Sequence, residues 1–570
     1  MARFRRASLL IAVTLLAAAC DRSPAPATPV ASGPKRGGSL TASIRSEPST
    51  FNRFAPNANQ APVDAVTRLV HATLVRVNRV SGEVEPWLAE RWSASPDGRT
   101  FTLTLRDGVT FSDGAPFTSA DVLFTFQALY DPAVNSSLAG GVKVQGKPLQ
   151  VAAPDARTVV VTLPAPFAPG VALLDNVPIL PKHLLQTALD GKTFGTAWGI
   201  TTAPSAMAGL GPFVLSEYVT GQRMTFARNP RYWRKDASGI QLPYLDSLVM
   251  EFLTAGQDAE MLRIQAGTVD IMTQADVRPE DLAALRRLRD TGSVQLVEAG
   301  TGVDPNGLWF NLTPGNNAVR AKPYLERAEF RQAISHAVDR NAIVQTVYLG
   351  AGDPIFGPIT PGNKTWYSPS VPTQPHDRAR AKSLLAGLGL TDRDGDGMLD
   401  DAAGKPVRFS ILTQARHTRE RTATMIQEQL RQSGIAVDVV ALDPNSLYGR
   451  FGKGEYESIY FGFQASSMDP AMNLDLWLSG GFAHVWNLGT PAPWEKSIDA
   501  LIQKHVAAPT LAERQQLFAE AQKIFAEHLP MIHFVAPKVT VVLSKRVGGA
   551  VPVLLDPKIL WNAEALYVRP

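Results

Sequence analysis

Nine histidines, one cysteine and 52 acidic side chains are the groups with which this 570-residue chain could do chemistry. Their spacing does not assemble a catalytic motif. There is no G-x-S-x-G elbow, no H-E-x-x-H, no S-x-x-K with its companion motifs and no P-loop. No two histidines stand three or four residues apart, the spacing that faces one metal from a single helix. No cofactor is expected. A hydrolase whose groups converge from distant segments is kept as a remote alternative.

One stretch has metal-like spacing. Asp392, Asp394 and Asp396 occupy positions 1, 3 and 5 of a calcium loop, with Gly397 at 6 and Asp400 at 9. Position 12 is Ala403, where such a loop needs a bidentate glutamate. The reading preferred is a solvated Asp/Gly turn before a strand beginning near Val407; a bound calcium ion, if present, would be structural.

The lone cysteine belongs to a different chemistry. Arg3, Arg5 and Arg6 precede an apolar run over residues 7–19, the n-region and h-region of a secretory signal. The run is shorter than the ~20 residues that cross a bilayer. It ends at Ala17-Ala18-Ala19-Cys20, which resembles a bacterial lipobox. That resemblance implies cleavage before Cys20 and lipidation of its thiol, with Asp21 resembling an inner-membrane retention signal. Residues 1–19 hold three of the 56 basic side chains and no acid, so the rest of the chain carries only +1. The high isoelectric point therefore reflects the signal, and no nucleic-acid partner is expected. Residues 20–37, with Pro24, Pro26, Pro29 and Pro34, read as a tether.

The body begins near Gly38. Phe101, Leu103 and Leu105 alternate with threonines, the period of a half-buried strand, and Val159, Val161 and Leu163 repeat it. The clearest unit spans residues 407–442. A strand over 407–412 precedes a helix over 419–432 with Met425, Ile426 and Leu430 on one face. Gly434 then stops the helix before a strand through Ile435, Val437 and Val439. Short joints imply a parallel pair with a right-handed crossover. A further strand is expected over 458–463. Leu517, Phe518, Ala521, Ile524 and Phe525 form a helical stripe read as core. The fold class is α/β, in more than one packed unit.

Several stretches together resemble one family, the peptide-type (cluster C, family 5) substrate-binding proteins of ABC transporters. Pro86-Trp87-Leu88-Ala89-Glu90-Arg91-Trp92, Ser95-Pro96-Asp97-Gly98 and Ala120-Asp121-Val122 resemble its signature block. Gly209-Leu210-Gly211-Pro212-Phe213, Arg228-Asn229-Pro230, Gly267 with Asp270-Ile271, Phe310-Asn311, Arg331-Gln332-Ala333, Asp339-Arg340 and Asp469-Pro470 follow in the family's order. The likeness runs from about residue 38 to 570. It implies a two-lobed periplasmic-binding-protein-like fold (type II) with a subdomain inserted in lobe I. By that analogy lobe I holds 36–59, 206–304 and 531–570, the insertion 60–205, and lobe II 305–530. It further implies a monomer that captures a peptide or other small ligand non-covalently in an interlobe cleft. The ligand would pass to ABC permease subunits in the cytoplasmic membrane, from a lipid-anchored periplasmic position. An oligosaccharide, opine, haem or metal chelate is the alternative cargo.

The resemblance also nominates site residues. Family peptide binders hold the ligand's α-amino group with an aspartate upstream of an acid-Pro pair. Ser466 falls at that position, on the segment carrying Phe463, Gln464 and Asp469. A hydroxyl does not neutralise an ammonium group as a carboxylate does, so the usual anchor is missing and the cargo stays open. Trp309 and Asn311 stand near a lobe crossing, where Trp309 either stacks on a ligand or packs in the core. Trp486 lies in a Gly- and aromatic-rich loop over 480–487. Arg416 follows a strand end and is placed either at a ligand carboxylate or in solvent. Glu47 and Asn52 resemble the family's first cleft-edge loop.

Overall fold

The computed structural model describes residues 34–569 apart from 57, 59, 274–276 and 464–466. The signal, Cys20, Gln464 and Ser466 lie outside the described residues. Among those described, no helix is long and apolar enough to cross a membrane.

Alternation and helical periodicity translate directly into elements. Thr100–Leu105 buries Phe101, Leu103 and Leu105 while its threonines face outward or lie at the margin. It pairs antiparallel with Thr158–Thr162 in a four-stranded sheet completed by Ala89–Ala94 and Gln150–Asp155. The α/β unit forms as its pattern dictates. Arg408–Gln414 pairs in parallel with Ala436–Leu442, joined by the helix His417–Arg431, whose Ile426 and Leu430 are fully buried. Gly434 ends the connection in the left-handed region at φ +81°. A Cβ there would stand 2.8 Å from Leu399 Cγ, so sterics as well as torsion call for glycine. The stripe on Leu511–His528 is core: Phe518, Ala521 and Phe525 are buried.

Two larger sheets carry the rest. The first runs Phe213–Val219, Arg223–Arg228, Ser247–Phe252, Ser39–Ile44, Ile271–Met272, Val535–Ser544 and Val294–Thr301, with Gly352–Pro354 added against Val535–Ser544. The second runs Ala436–Leu442, Arg408–Gln414, Ser458–Phe461, Gly307–Phe310 and Met531–His533. Every residue of Gly307–Phe310 and Ser458–Phe461 is buried, as strands covered on both faces require. The chain leaves the first sheet after Val294–Thr301 and enters the second at Gly307–Phe310. It returns through Phe534: Met531–His533 pairs with Gly307–Phe310, and Val535–Ser544 with Val294–Thr301.

The motif residues named above work as pegs in this frame. Asp121 closes a capping box with Thr118 and also accepts from the Lys182 N–H. Gly209 and Gly211 let the chain pass Val70 and Leu69, since a Cβ on either would fall 1.9 and 2.4 Å from their carbonyl oxygens. Buried Asp270 accepts from Thr41 N–H, Ser544 Oγ and Arg546. Arg331 donates to the carbonyls of Leu325, His528 and Leu529, and Arg340 to those of Ile355 and His533. Both buried arginines thus fix the segment that returns between the sheets.

Candidate functional site

A cavity of about 390 Å³ opens where the chain crosses between the two large sheets. Its floor and walls come from distant segments: Val303 to Pro305 of the first crossing, Trp309, Gly462 with Phe463, residues between Ser467 and Trp477, Phe482 with Ala483, and Met531 with His533 of the return. The volume lies within the range of small-ligand sites. The walls are aromatic and thioether-rich. Trp309, Phe463, Trp477 and Phe482 all face it, with Met468, Met472 and Met531. Phe482, preceded by Gly480 and Gly481, is 73% exposed, so an apolar ring stands at the rim rather than in the core.

Trp309 packs in the core and also lines the cavity. It is buried to 2%, donates Nε1–H to the Phe461 carbonyl at 2.8 Å, and lies edge-on to Phe463 with centroids 5.4 Å apart. One part of the ring closes the core while the side chain also lines the cavity. Phe463 completes that wall and meets Phe482 at 6.3 Å.

The other nominated residues stand elsewhere. Trp486 does not line the cavity; it is buried behind Trp309 at 5.8 Å, with its Nε1–H given to Glu495 at 2.9 Å. Asn311 is fully buried, donates to the Gly454 and Tyr456 carbonyls and accepts from Thr313 N–H. Asn52 similarly donates to the Phe194 carbonyl and accepts from Phe54 N–H. Glu47 accepts from Tyr218 Oη and Gly221 N–H, away from the cavity. Asp469 caps Ala471 N–H, and its carboxylate is ion-paired with Arg514, itself stacked 4.8 Å over Trp366. Arg416 is exposed at the start of the helix His417–Arg431. Its neighbour Arg419 turns inward, donates to Asn306 and Gln414, and lies 4.2 Å over the Phe461 ring. Burial, reinforced by the charge of Arg416, lowers the Arg419 pKa to about 10.

The carboxylate oxygens of Asp392, Asp394 and Asp396 gather within 4.8 Å on the surface. They accept from the loop's own N–H groups: Asp392 from Gly395 and Gly397, Asp394 from Asp396, and Asp396 from Met398. Asp400 accepts from Arg393 N–H. This is the hydrogen bonding of a folded Asp/Gly turn.

The family model for bacterial extracellular solute-binding proteins, family 5 (middle), matches residues 83–484. The chain belongs to this family. Among curated relatives, a dipeptide-binding protein of Escherichia coli is 27% identical over 518 residues, covering 87% of this chain and 88% of its own. The haem-binding protein A of Haemophilus influenzae is 27% identical over 573 residues, covering 95% of each. Among solved structures, the ABC transporter substrate-binding protein CtaP of Listeria monocytogenes superposes with a TM-score of 0.77 at 24% identity, over 94% of this chain and all of that one. The two-lobed family 5 fold is thus the fold of this solute-binding protein.

Most cavity residues of this solute-binding protein escaped sequence reasoning, Asp304, Asp475 and His533 among them. His533 is 2% exposed, and its Nδ1 has no hydrogen-bond partner among the described residues. Burial, and secondarily the charge of Arg340, holds the ring's pKa down to about 3, so it is neutral at ordinary pH. No serine hydroxyl among the described residues hydrogen-bonds that ring. Nothing local marks His533 as a wall residue; only its place beside Phe534, the return point, would have singled it out.

Proposed function

We propose that this protein captures a peptide or peptide-like solute in the 390 Å³ cavity at the crossings and hands it to an ABC importer permease. The observation that carries this reading is the aromatic cavity placed where two chain crossings meet. A ligand there touches both crossing segments, so closure of one lobe on the other gains differential affinity from it. The lobes correspond to the units about the two large sheets, with residues 60–205 as the insertion. Peptide cargo is favoured by kinship with a dipeptide-binding protein. Haem or another non-peptide cargo is the second reading, favoured by Ser466 in place of the usual acid and by the haem-binding relative. A thermal-shift screen of the purified protein against di- and tripeptides, oligosaccharides and haem separates the two. Peptides should raise the unfolding temperature increasingly with concentration. Stabilisation by sugars or haem alone would sink the peptide reading.

The chain works as a monomer tethered outside the membrane by lipid on Cys20. Cys20→Ala is expected to move the protein from the membrane pellet to the soluble fraction, read by immunoblot after a salt wash. Continued sedimentation with membranes would contradict lipid anchoring at this residue.

A further inference from the structure

The charges lining the cavity are of one sign. Asp304 and Asp475 are its acidic residues, and no lysine or arginine is among the described residues that line it. His533 adds no positive charge, because its ring is neutral. The Asp475 side chain has no hydrogen bond or ion pair among the described residues. It sits in the short helix Leu474–Trp477, so the carboxylate and the Trp477 wall come from one turn. The same cavity is lined by Trp309, Phe463 and Phe482. A carboxylate among aromatic faces suits one chemical class above others. The acid supplies a charge-assisted hydrogen bond, and the ring faces attract a cation through their quadrupoles. His533, whose buried Nδ1 has no hydrogen-bond partner among the described residues, belongs to the same lining.

We propose that this cavity holds an ammonium group borne on an apolar body, with Asp475 as its counterion and Asp304 adding negative potential. This deepens the capture reading above and rests on it. It also relocates the anchor. The amine of the cargo is neutralised from the 474–477 helix rather than from the segment where Ser466 stands. An anionic group has no counterion on the described walls and is disfavoured there.

The test compares three probes by calorimetry and thermal shift: a casein hydrolysate, the same hydrolysate with its amines acetylated, and phenethylamine. The free-amine hydrolysate should bind at least tenfold more tightly than the acetylated one. Asp475→Asn should reduce the free-amine affinity at least fivefold, toward that of the acetylated peptides. Its unfolding midpoint should match the parent, since Asp475 is exposed and unpaired. Equal binding of free and acetylated peptides would overturn the amine site while leaving peptide capture standing. Binding of phenethylamine that depends on Asp475, without binding of either hydrolysate, would support the amine site and remove the peptide reading. Binding of none of the three would remove both.

Discussion

Glu495→Ala is expected to destabilise the protein by about 3–5 kcal/mol, the scale for removing one partner of a buried charged network. Glu495 is 1% exposed and accepts four hydrogen bonds: from His484 Nε2 at 3.0 Å, Trp486 Nε1 at 2.9 Å, Asn487 Nδ2 at 2.7 Å and Ala492 N–H at 2.6 Å. Alanine leaves all four donors in a dry site, each with its own desolvation cost. The consequence reaches the ligand. This carboxylate ties the helix Pro493–Ala507 to the loop that carries Phe482 and Ala483 to the cavity and seats Trp486 behind Trp309. Ligand affinity should therefore fall along with the denaturation midpoint. The pH dependence has a definite sign. Burial alone would raise the carboxyl pKa, but the donors of His484, Ala492 and Asn487 outweigh it and hold the value below the ordinary range. A depressed carboxylate pKa contributes stability that is full above the unfolded value, about 4.3, and is lost as pH falls through the folded value. The stability gap between the parent and Glu495→Gln, measured by urea unfolding, should thus narrow below about pH 4. A gap that stays constant down to pH 3 would show that the network does not depend on the charge.

Trp309→Ala should cost about 3–5 kcal/mol as a large-to-small change in the core. It should also abolish ligand-induced stabilisation, because the same ring is a cavity wall. The two effects separate with Trp309→Phe. Phenylalanine keeps an aromatic face toward Phe463 but gives up the hydrogen bond to the Phe461 carbonyl, a loss of about 1 kcal/mol. The expected pattern is near-parental affinity for the Phe variant and at least a tenfold loss for the Ala variant, by calorimetry. Parental affinity in the Ala variant would confine Trp309 to a packing role.

The α/β unit was legible because its signals are local. The period-2 alternation of 407–412, the helical face of Ile426 and Leu430, and Gly434 at the stop each act within a few residues. The motif acids and arginines were legible as motifs, but their work was not. Arg331 and Arg340 act through carbonyls nearly 200 positions away. Asn52, Asn311, Asp469 and Trp486 have the residue types of a binding site. The structure spends their polar groups on backbone carbonyls, on Arg514 and on Glu495. A side chain's chemistry does not tell which partner claims it, and that is decided by what folds against it.

By itself the sequence determined the α/β class, because periodicity sets elements locally, and the signal-like N-terminus; the two lobes and the binding role were what its resemblance to the family implied. Only the tertiary structure decided the walls of the cavity. Asp304, Trp309, Phe463, Asp475, Phe482 and His533 come from segments spread over more than 200 residues. They meet because Gly307–Phe310 pairs with both Ser458–Phe461 and Met531–His533. Burial at that junction decides the rest: it keeps His533 neutral, gives Trp309 a share of both core and cavity, and leaves Asp475 exposed on a wall with no lysine or arginine beside it among the described lining residues.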